Sequence, residues 1–469
     1  MKRVFLIILL VSATSFGYTQ DTLSLARAIQ IGLQNNFDVQ IGALNLDLAK
    51  NNNTWGQAGL LPSINLTANQ PNSIVQRKPA NPFAVPGKNV SDNLNGILDV
   101  QFTLFDGFAV RLTKERLEKL EELTGGNAQF IMENTVQGII LGYYQVLLLK
   151  EQLNVLVRNR EFSKERYDYI KLRKELGGAI TFDVLQEQNN YLTDSASVLQ
   201  QEILLKNSVR NLNVLLNENI NKTYQLTDPI PFESEKYRYE DLRDKMFSSN
   251  TNLKNQYISQ ELFRNATRLA ESNYSPTLIM NTGVNGSLDR LNANFRVPTG
   301  NTLETTVGYV NRNQALPVYN NVNETALRPL TQTGNSYGAF LNFGLRFTLF
   351  NGGQIRRAVE NARIQETIEQ LNTDQLKLSL ENDLLASFDL YNLRQQLVQI
   401  SQIRLQAAEL NLSLADERYK NGALSAIDLR IVQDNYQVAA LDTYLAIFAR
   451  ISSSVDLIRL TGGLVDNAN

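Results

Sequence analysis

The chain has 469 residues, 45 Lys and Arg against 47 Asp and Glu for a formal charge of −2, and neither Cys nor His. Disulfides, thiolate metal sites, imidazole bases and any Ser-His-Asp triad are thereby excluded, so an enzyme reading lacks its usual groups and no cofactor is expected. Near-neutral charge gives no reason to expect nucleic acid, and only 11 Pro and 26 Gly argue against a turn-rich sandwich or a disordered linker.

The N-terminus reads as an export signal. Lys2 and Arg3 precede an apolar run over residues 4–11, and the small polar stretch Ser12, Ala13, Thr14, Ser15 follows. A helix of that length spans roughly 12 Å, too short to cross a bilayer. A signal peptide over residues 1–20 is expected, with cleavage between Gly17 and Asp21. With no Cys to acylate, the product is expected not to be a lipoprotein. No later segment offers 18 consecutive apolar residues, which leaves a soluble exported protein or a membrane β-barrel, whose strands need only about 9–11 residues.

An internal repeat organises the rest. "FTLFDG" (102–107) recurs as "FTLFNG" (347–352), 245 residues on, and the same offset carries Asp183 to Asp428, Gln188 to Gln433 and Tyr191 to Tyr436. Pro62 corresponds to Pro276 at an offset of 214, and "ERY" (165–167) recurs at 417–419. The expected repeats are residues 21–230 and 231–469. Each begins with a helical stretch, residues 25–57 and 239–271, ended before a Pro. An alternating strand follows (63–69; 277–288), then a polar loop (70–95; 289–335), then a second strand. In the second strands Leu98, Val100, Phe102 and Leu104 alternate with polar residues, as do Leu341, Phe343, Leu345, Phe347 and Leu349. Such alternation places one face in an apolar medium and the other in water.

Two very long helical patterns come next, residues 108–176 and 354–420, each roughly 100 Å of helix. Their apolar rows recur every seven residues, the spacing of supercoiling helices. Leu384, Tyr391, Val398, Leu405, Leu412 and Tyr419 form one row, and Ala386, Leu393, Ile400, Ala407 and Leu414 another. Residues two apart lie about 200° apart around a helix, so this helix needs neighbours on two opposite sides. Each long helix ends at a reversal, "LGGAITFD" (176–183) and "KNGALSAID" (420–428). Gly supplies the left-handed residue there, Thr181 or Ser425 caps the return helix, and Asp183 or Asp428 falls in its first turn. The return helices run to about Asn217 and Leu460.

In this order and duplicated, "LSLARAIQIGLQNN" (23–36), "AGLLPSINL" (58–66), the paired "FTLF(D/N)G" and "RYKNGALSAIDL" (418–429) resemble the TolC-type outer membrane efflux proteins, over essentially the whole mature chain. The resemblance implies an α+β membrane protein. A homotrimer would share one outer-membrane β-barrel, four strands per chain, continuing into a long periplasmic α-helical coiled-coil barrel. Physics requires oligomers independently, because four strands cannot close a barrel and open edges are forbidden in hydrocarbon. The resemblance also implies the outer membrane of a Gram-negative bacterium, with lipid, a periplasmic adaptor and an inner-membrane pump as partners.

Carried over by motif, the adaptor-binding hairpin tips are Gly177, Gly178, Ala179 and Thr181, with Gly422, Ala423, Leu424 and Ser425, and the pore-narrowing carboxylates are Asp183 and Asp428. Two departures stand out. The best-studied relative has Arg where Leu424 stands and a second acid where Ile431 stands, so the expected constriction is a ring of Asp428 alone. Stabilisation of a helix N-terminus is the competing account of both carboxylates. "YYQVLLL" (143–149) reads as helix packing rather than a ligand pocket, and Trp55 as an interfacial or a core residue. Other functions consistent with these features are an exported trimeric coiled-coil structural or adhesive protein, and an exit duct for type I protein secretion. A periplasmic enzyme is disfavoured.

Overall fold

The computed structural model describes residues 21–81, 84–231, 235–314 and 316–464, and the expected signal peptide lies outside them. In chain order the elements are β1 (Asp21–Leu23), α1 (Leu25–Asn35), α2 (Phe37–Asn52), β2 (Ser63–Asn69), β3 (Asn72–Arg77), β4 (Gly87–Phe105), α3 (Ala109–Glu175), α4 (Thr181–Leu216), β5 (Tyr224–Leu226), α5 (Tyr239–Ser249), α6 (Thr251–Ser272), β6 (Thr277–Tyr309), β7 (Pro317–Arg346), α7 (Gln354–Lys420) and α8 (Ala426–Leu460). They form two compact units. A helical unit draws on the residues up to Asn51, Glu118–Arg264 and those from Ile364 on; a sheet unit draws on Asn52–Leu117 and Asn265–Arg363.

Within the helical unit, the stretches expected as single helices are each two. α1 and α2 part at Asn36, and α5 and α6 part at Asn250. The cause is a side chain that serves two helix ends at once. Asn36 Oδ1 accepts from the Asp38 and Val39 amides at 2.9 and 3.3 Å, capping α2, while its Nδ2 donates to the Leu215 carbonyl at 3.0 Å near the end of α4. Asn250 does the same, accepting from the Leu253 amide at 2.9 Å and donating to the Leu460 carbonyl at 2.9 Å, the last residue of α8. Both asparagines are buried, so the orphan groups they satisfy have no water to turn to. The separations match the repeat: 36 to 250 is the 214 offset of the prolines, and 215 to 460 is the 245 offset of "FTLF".

The helices lie in a definite order. α2 packs on α3, where Gly42 meets Ala128. α3 meets α6 through Asn255 and Asn127 at 3.1 Å, and α6 meets α7 through Gln256 and Glu369 at 2.8 Å. Further along α3 and α7 the order is α4, α3, α8, α7. Gln201 reaches the Leu149 carbonyl at 3.0 Å, Asn159 reaches Gln437 at 2.5 Å, and Arg404 pairs with Asp442 at 2.8 Å. In both layers α7 is one outer helix, and α2 or α4 is the other. The row Leu384, Tyr391, Val398 and Leu412 is buried within the chain. The row Ala386, Leu393, Ile400, Ala407 and Leu414 is exposed throughout. On the opposite edge Leu185, Leu192 and Leu199 of α4, again seven apart, are exposed as well. α8 is long and apolar enough to cross a membrane by length and composition. Its side chains Ile447, Ile451 and Val455 instead build a core with Val136, Leu148 and Val398. "YYQVLLL" is likewise packing: Tyr143 is fully buried beside Ile139 and Leu212.

The sheet unit is antiparallel in the order β2-β4-β6-β7, with β3 also on β4. β2 lies against residues 95–101 of β4 and β3 against residues 87–92, so the two share one edge. They are separated at Gln70 and Pro71, where Pro has no N–H to donate. Five strands thus occupy four positions across the sheet. The polar loops expected over 70–95 and 289–335 are corrected: most of both is strand. Their side chains alternate without a strong apolar face, so the hydrophobic pattern is silent while the backbone ladder pairs throughout. The second strand of the second repeat also ends early, at Arg346, leaving Phe347 and Leu349 outside it. Arg346 pairs with Thr277, the first residue of β6 after Pro276, and beyond it no partner remains. Trp55 is not core; it is exposed, with Lys114 Nζ 5.7 Å from its ring centroid.

Candidate functional site

The two helix reversals are built alike. At the first, the Gly178 amide donates to the Arg173 carbonyl at 2.7 Å and the Gly177 amide to the Lys174 carbonyl at 3.0 Å. At the second, Ala423 donates to Arg418 at 2.8 Å and Gly422 to Tyr419 at 2.9 Å. Both are the paired bonds of a Schellman ending, which needs a left-handed residue at its corner. Gly177 and Gly422 supply it, with φ of 79° and 74°. Both face open space, so backbone conformation alone demands Gly there.

The caps differ. Ser425 precedes α8, its hydroxyl accepting from the Asp428 amide at 3.1 Å and lying 2.7 Å from the Asp428 carboxylate. Thr181 is not a cap: it is the first helical residue of α4, and Ile180 holds the capping position with no side-chain acceptor. The Asp183 carboxylate compensates by accepting from the Ile180 amide at 3.2 Å. Asp183 therefore performs the N-terminal stabilisation set against a pore role, whereas Asp428 lies in the first turn of α8 with its carboxylate on the hydroxyl of the cap, Ser425. Asp183, Gly422, Leu424 and Ser425 line one cleft of about 290 Å³; Gly177, Gly178, Ala179, Thr181, Ala423 and Asp428 are not among its walls. Exposed Leu176, Ile180, Phe182 and Ile427 surround the two tips with apolar surface.

One to four turns above the tips lies a buried polar network that the sequence reading did not find. Arg166 and Glu187 pair at 3.2 Å with both side chains about 5% exposed. Arg166 also donates to Gln433 on α8 and to Ser163. Arg430 binds Asp194 with two nitrogens, at 2.5 and 2.8 Å, and reaches Ser163 at 3.0 Å and Asp434 at 2.9 Å. The hydrogen bonds to Asp194 hold the Arg430 guanidinium above its ordinary value. Two arginines and two buried carboxylates balance, as burial of charge requires. The network ties α3 and α4 of the first repeat to α8 of the second. Beside it, Tyr169 and Tyr419 pack edge to face. Burial first, then the Glu187 charge, pushes the Tyr419 phenol above its usual range, and its hydroxyl has no hydrogen-bond partner among the described residues. One signal was available: Arg166 is the centre of the "ERY" that recurs at Arg418.

Comparison with known proteins gives a consistent picture. Residues 28–218 match the family model described as outer membrane efflux protein. No curated protein matches the chain by sequence. Among solved structures, the chain is similar to the Campylobacter jejuni CmeC outer membrane channel, with a TM-score of 0.69 and 14% identity over 94% of this chain and 85% of that one. It is similar to the Vibrio cholerae outer membrane protein VceC, with a TM-score of 0.68 and 12% identity over 94% and 96%. It is also similar to the open state of the Neisseria gonorrhoeae MtrE outer membrane channel, with a TM-score of 0.63 and 15% identity over 94% and 89%. The resemblance to the TolC-type outer membrane efflux proteins is borne out by these matches, and the fold, helical for the most part with a five-stranded sheet and the short β1–β5 pair, is that of outer membrane efflux channels.

Proposed function

We propose that this chain, an efflux-channel fold with an outer membrane efflux protein match, is one subunit of a passive exit duct. Three copies share a twelve-stranded barrel in the outer membrane, and their helices continue it as a periplasmic coiled-coil tunnel. A periplasmic adaptor couples the duct to an inner-membrane pump, which supplies the energy. The two halves of the chain, divided near residue 230, arose by duplication.

The observation that carries this reading is the pair of unlike, uncovered edges. The sheet ends at β2 and β3 on one side and at β7 on the other. The helical unit ends at α2 or α4 on one side and at α7 on the other, with heptad rows of apolar side chains open on both. Unlike edges join head to tail, and a head-to-tail join that closes makes a ring. With four antiparallel positions per chain, β7 of one copy meets β2 of the next antiparallel, so the ring closes without a parallel pair at any copy number. The exposed rows on α4 and α7 then meet across the same join as coiled-coil seams.

The reversals at Gly177 and Gly422, rimmed by Leu176, Ile180, Phe182 and Ile427, offer the adaptor an apolar surface. Asp428, exposed at the start of α8, is the residue for an acidic ring at the entrance. In planar bilayers Asp428→Ala is expected to weaken cation preference and raise conductance. Unchanged cation conductance would remove the ring role and leave Asp428 only as a first-turn carboxylate of α8.

A further inference from the structure

The β6–β7 hairpin runs far past the rest of the sheet. β4 pairs with β6 only as far as Asn292, opposite Val90. From Phe295 to Tyr309 and from Pro317 to Arg328, β6 and β7 pair only with each other. This free ribbon is roughly 40–50 Å long at the usual rise per residue. A lone two-stranded ribbon is marginal in water, so it needs cover.

The ribbon's polarity shows which face is covered. β7 is one uninterrupted strand, so its odd and even residues alternate between the two faces, and the two register shifts of the ribbon add their extra residues on β6, between Pro298 and Thr302 and between Thr306 and Gly308. Near the base the odd face is apolar, with Tyr337, Ala339, Leu341, Phe343 and Leu345, and the even face, Phe340 apart, is polar or small, with Ser336, Gly338, Asn342, Gly344 and Arg346. In the free ribbon the pattern inverts. The odd face becomes Tyr319, Asn321, Asn323 and Thr325, interrupted by Leu327. The even face gains Val318, Val322 and Ala326, with Asn320, Glu324 and Arg328 between them. Directly opposite on β6 stand Leu303, facing Val322, and Val297, facing Ala326, which extend that face across the ribbon. Leu303 is 54% and Val322 47% exposed in the single chain.

Resting on the duct reading, the apolar base face is the lipid face and the even face looks into the lumen. The apolar part of the even face then lies over the lumen's outer mouth, where the same ribbons of the other copies can meet it. We infer that the ribbons pack against one another through Leu303, Val318 and Val322 and narrow the outer mouth of the duct, a second constriction separate from the helix tips.

The chain has no cysteine, so a single introduced one reports on this contact alone. In the detergent-extracted oligomer under a mild oxidant, Val322→Cys is expected to give disulfide-linked dimers on a denaturing gel. Asn321→Cys, on the opposite face, is expected to stay monomeric there. The double variant Leu303→Asp/Val322→Asp is expected to raise single-channel conductance about two-fold or more, because a hydrophobic constriction limits wetting. An intact trimer with no Val322→Cys cross-link, or with Asn321→Cys cross-linking equally, overturns the constriction while the duct stands. A monomer in detergent overturns both.

Discussion

Arg166 and Glu187 form the most deeply buried ion pair among the described residues, and their removal one at a time or together has a calculable signature. Arg166→Met leaves the Glu187 carboxylate buried with only Asn190 Nδ2, at 3.5 Å, to hold it. Glu187→Met leaves the guanidinium with Gln433 and Ser163. Stranding one member of a buried pair costs about 3–5 kcal/mol, whereas replacing both by well-packed apolar groups is often close to neutral. At 1.4 kcal/mol per tenfold, each single variant should open locally about 100-fold more often or beyond. The double variant should recover most of that loss, with about 1 kcal/mol left because Gln433 loses its donor. Amide hydrogen exchange in the solubilised oligomer reads this opening directly over residues 159–194, since protection there reports local unfolding. Single variants that exchange like the parent, or a double variant worse than either single, would refute the argument.

Three further outcomes follow from individual side chains. Gly422→Ala forces a side chain into a left-handed corner with nothing near it, so the second tip should lose about 1 kcal/mol from backbone strain alone, read as faster proteolysis there; Gly422→Asn should lose less. Asn250→Ala removes a helix cap worth about 1 kcal/mol and strands the Leu460 carbonyl for about 1–3 kcal/mol more, so thermal melting should fall clearly; Asn250→Asp keeps the cap but strands the same carbonyl beside a buried carboxylate, and should recover none of the carbonyl's share. Burial raises the Asp456 carboxyl above its ordinary value, although Gln137 donates to it at 2.6 Å. A raised folded value means the fold holds its proton longer than the unfolded chain, so stability is full below the unfolded value near 4 and declines as pH rises through the folded one. Asp456→Asn should therefore raise the melting temperature at pH 7, with the gain vanishing toward pH 3.

Much of the fold was legible because long helices repeat their pattern many times. α7 spans the residues expected of it, and α3, α4 and α8 agree to within a residue or so, since heptad rows and Gly reversals leave little freedom. The breaks at Asn36 and Asn250 were invisible to periodicity, as each asparagine acts through the end of a helix some 180 or 210 residues away. The long ribbon was missed because its alternation carries little apolar contrast, and the ladder that holds it is backbone. At the tips the reversals at Gly177 and Gly422 could be read locally, from Gly and the helix on either side. The Arg166, Glu187 and Arg430 network could not, because Arg166 meets Gln433 across 267 residues. A cap at Thr181 was expected from residue type, but the chain places Ile180 in that position and closes the turn with Asp183 instead.

The central claim is that unlike edges of one chain join those of the next to close a barrel in the outer membrane. It is tested most directly by the native mass of the complex extracted by detergent from the outer-membrane fraction. The account predicts a species of three chains, recovered only with detergent. A monomer, or any oligomer recovered without detergent, would contradict it: the Leu341, Phe343 and Leu345 face would not meet lipid, and the exposed rows on α4 and α7 would not be seams.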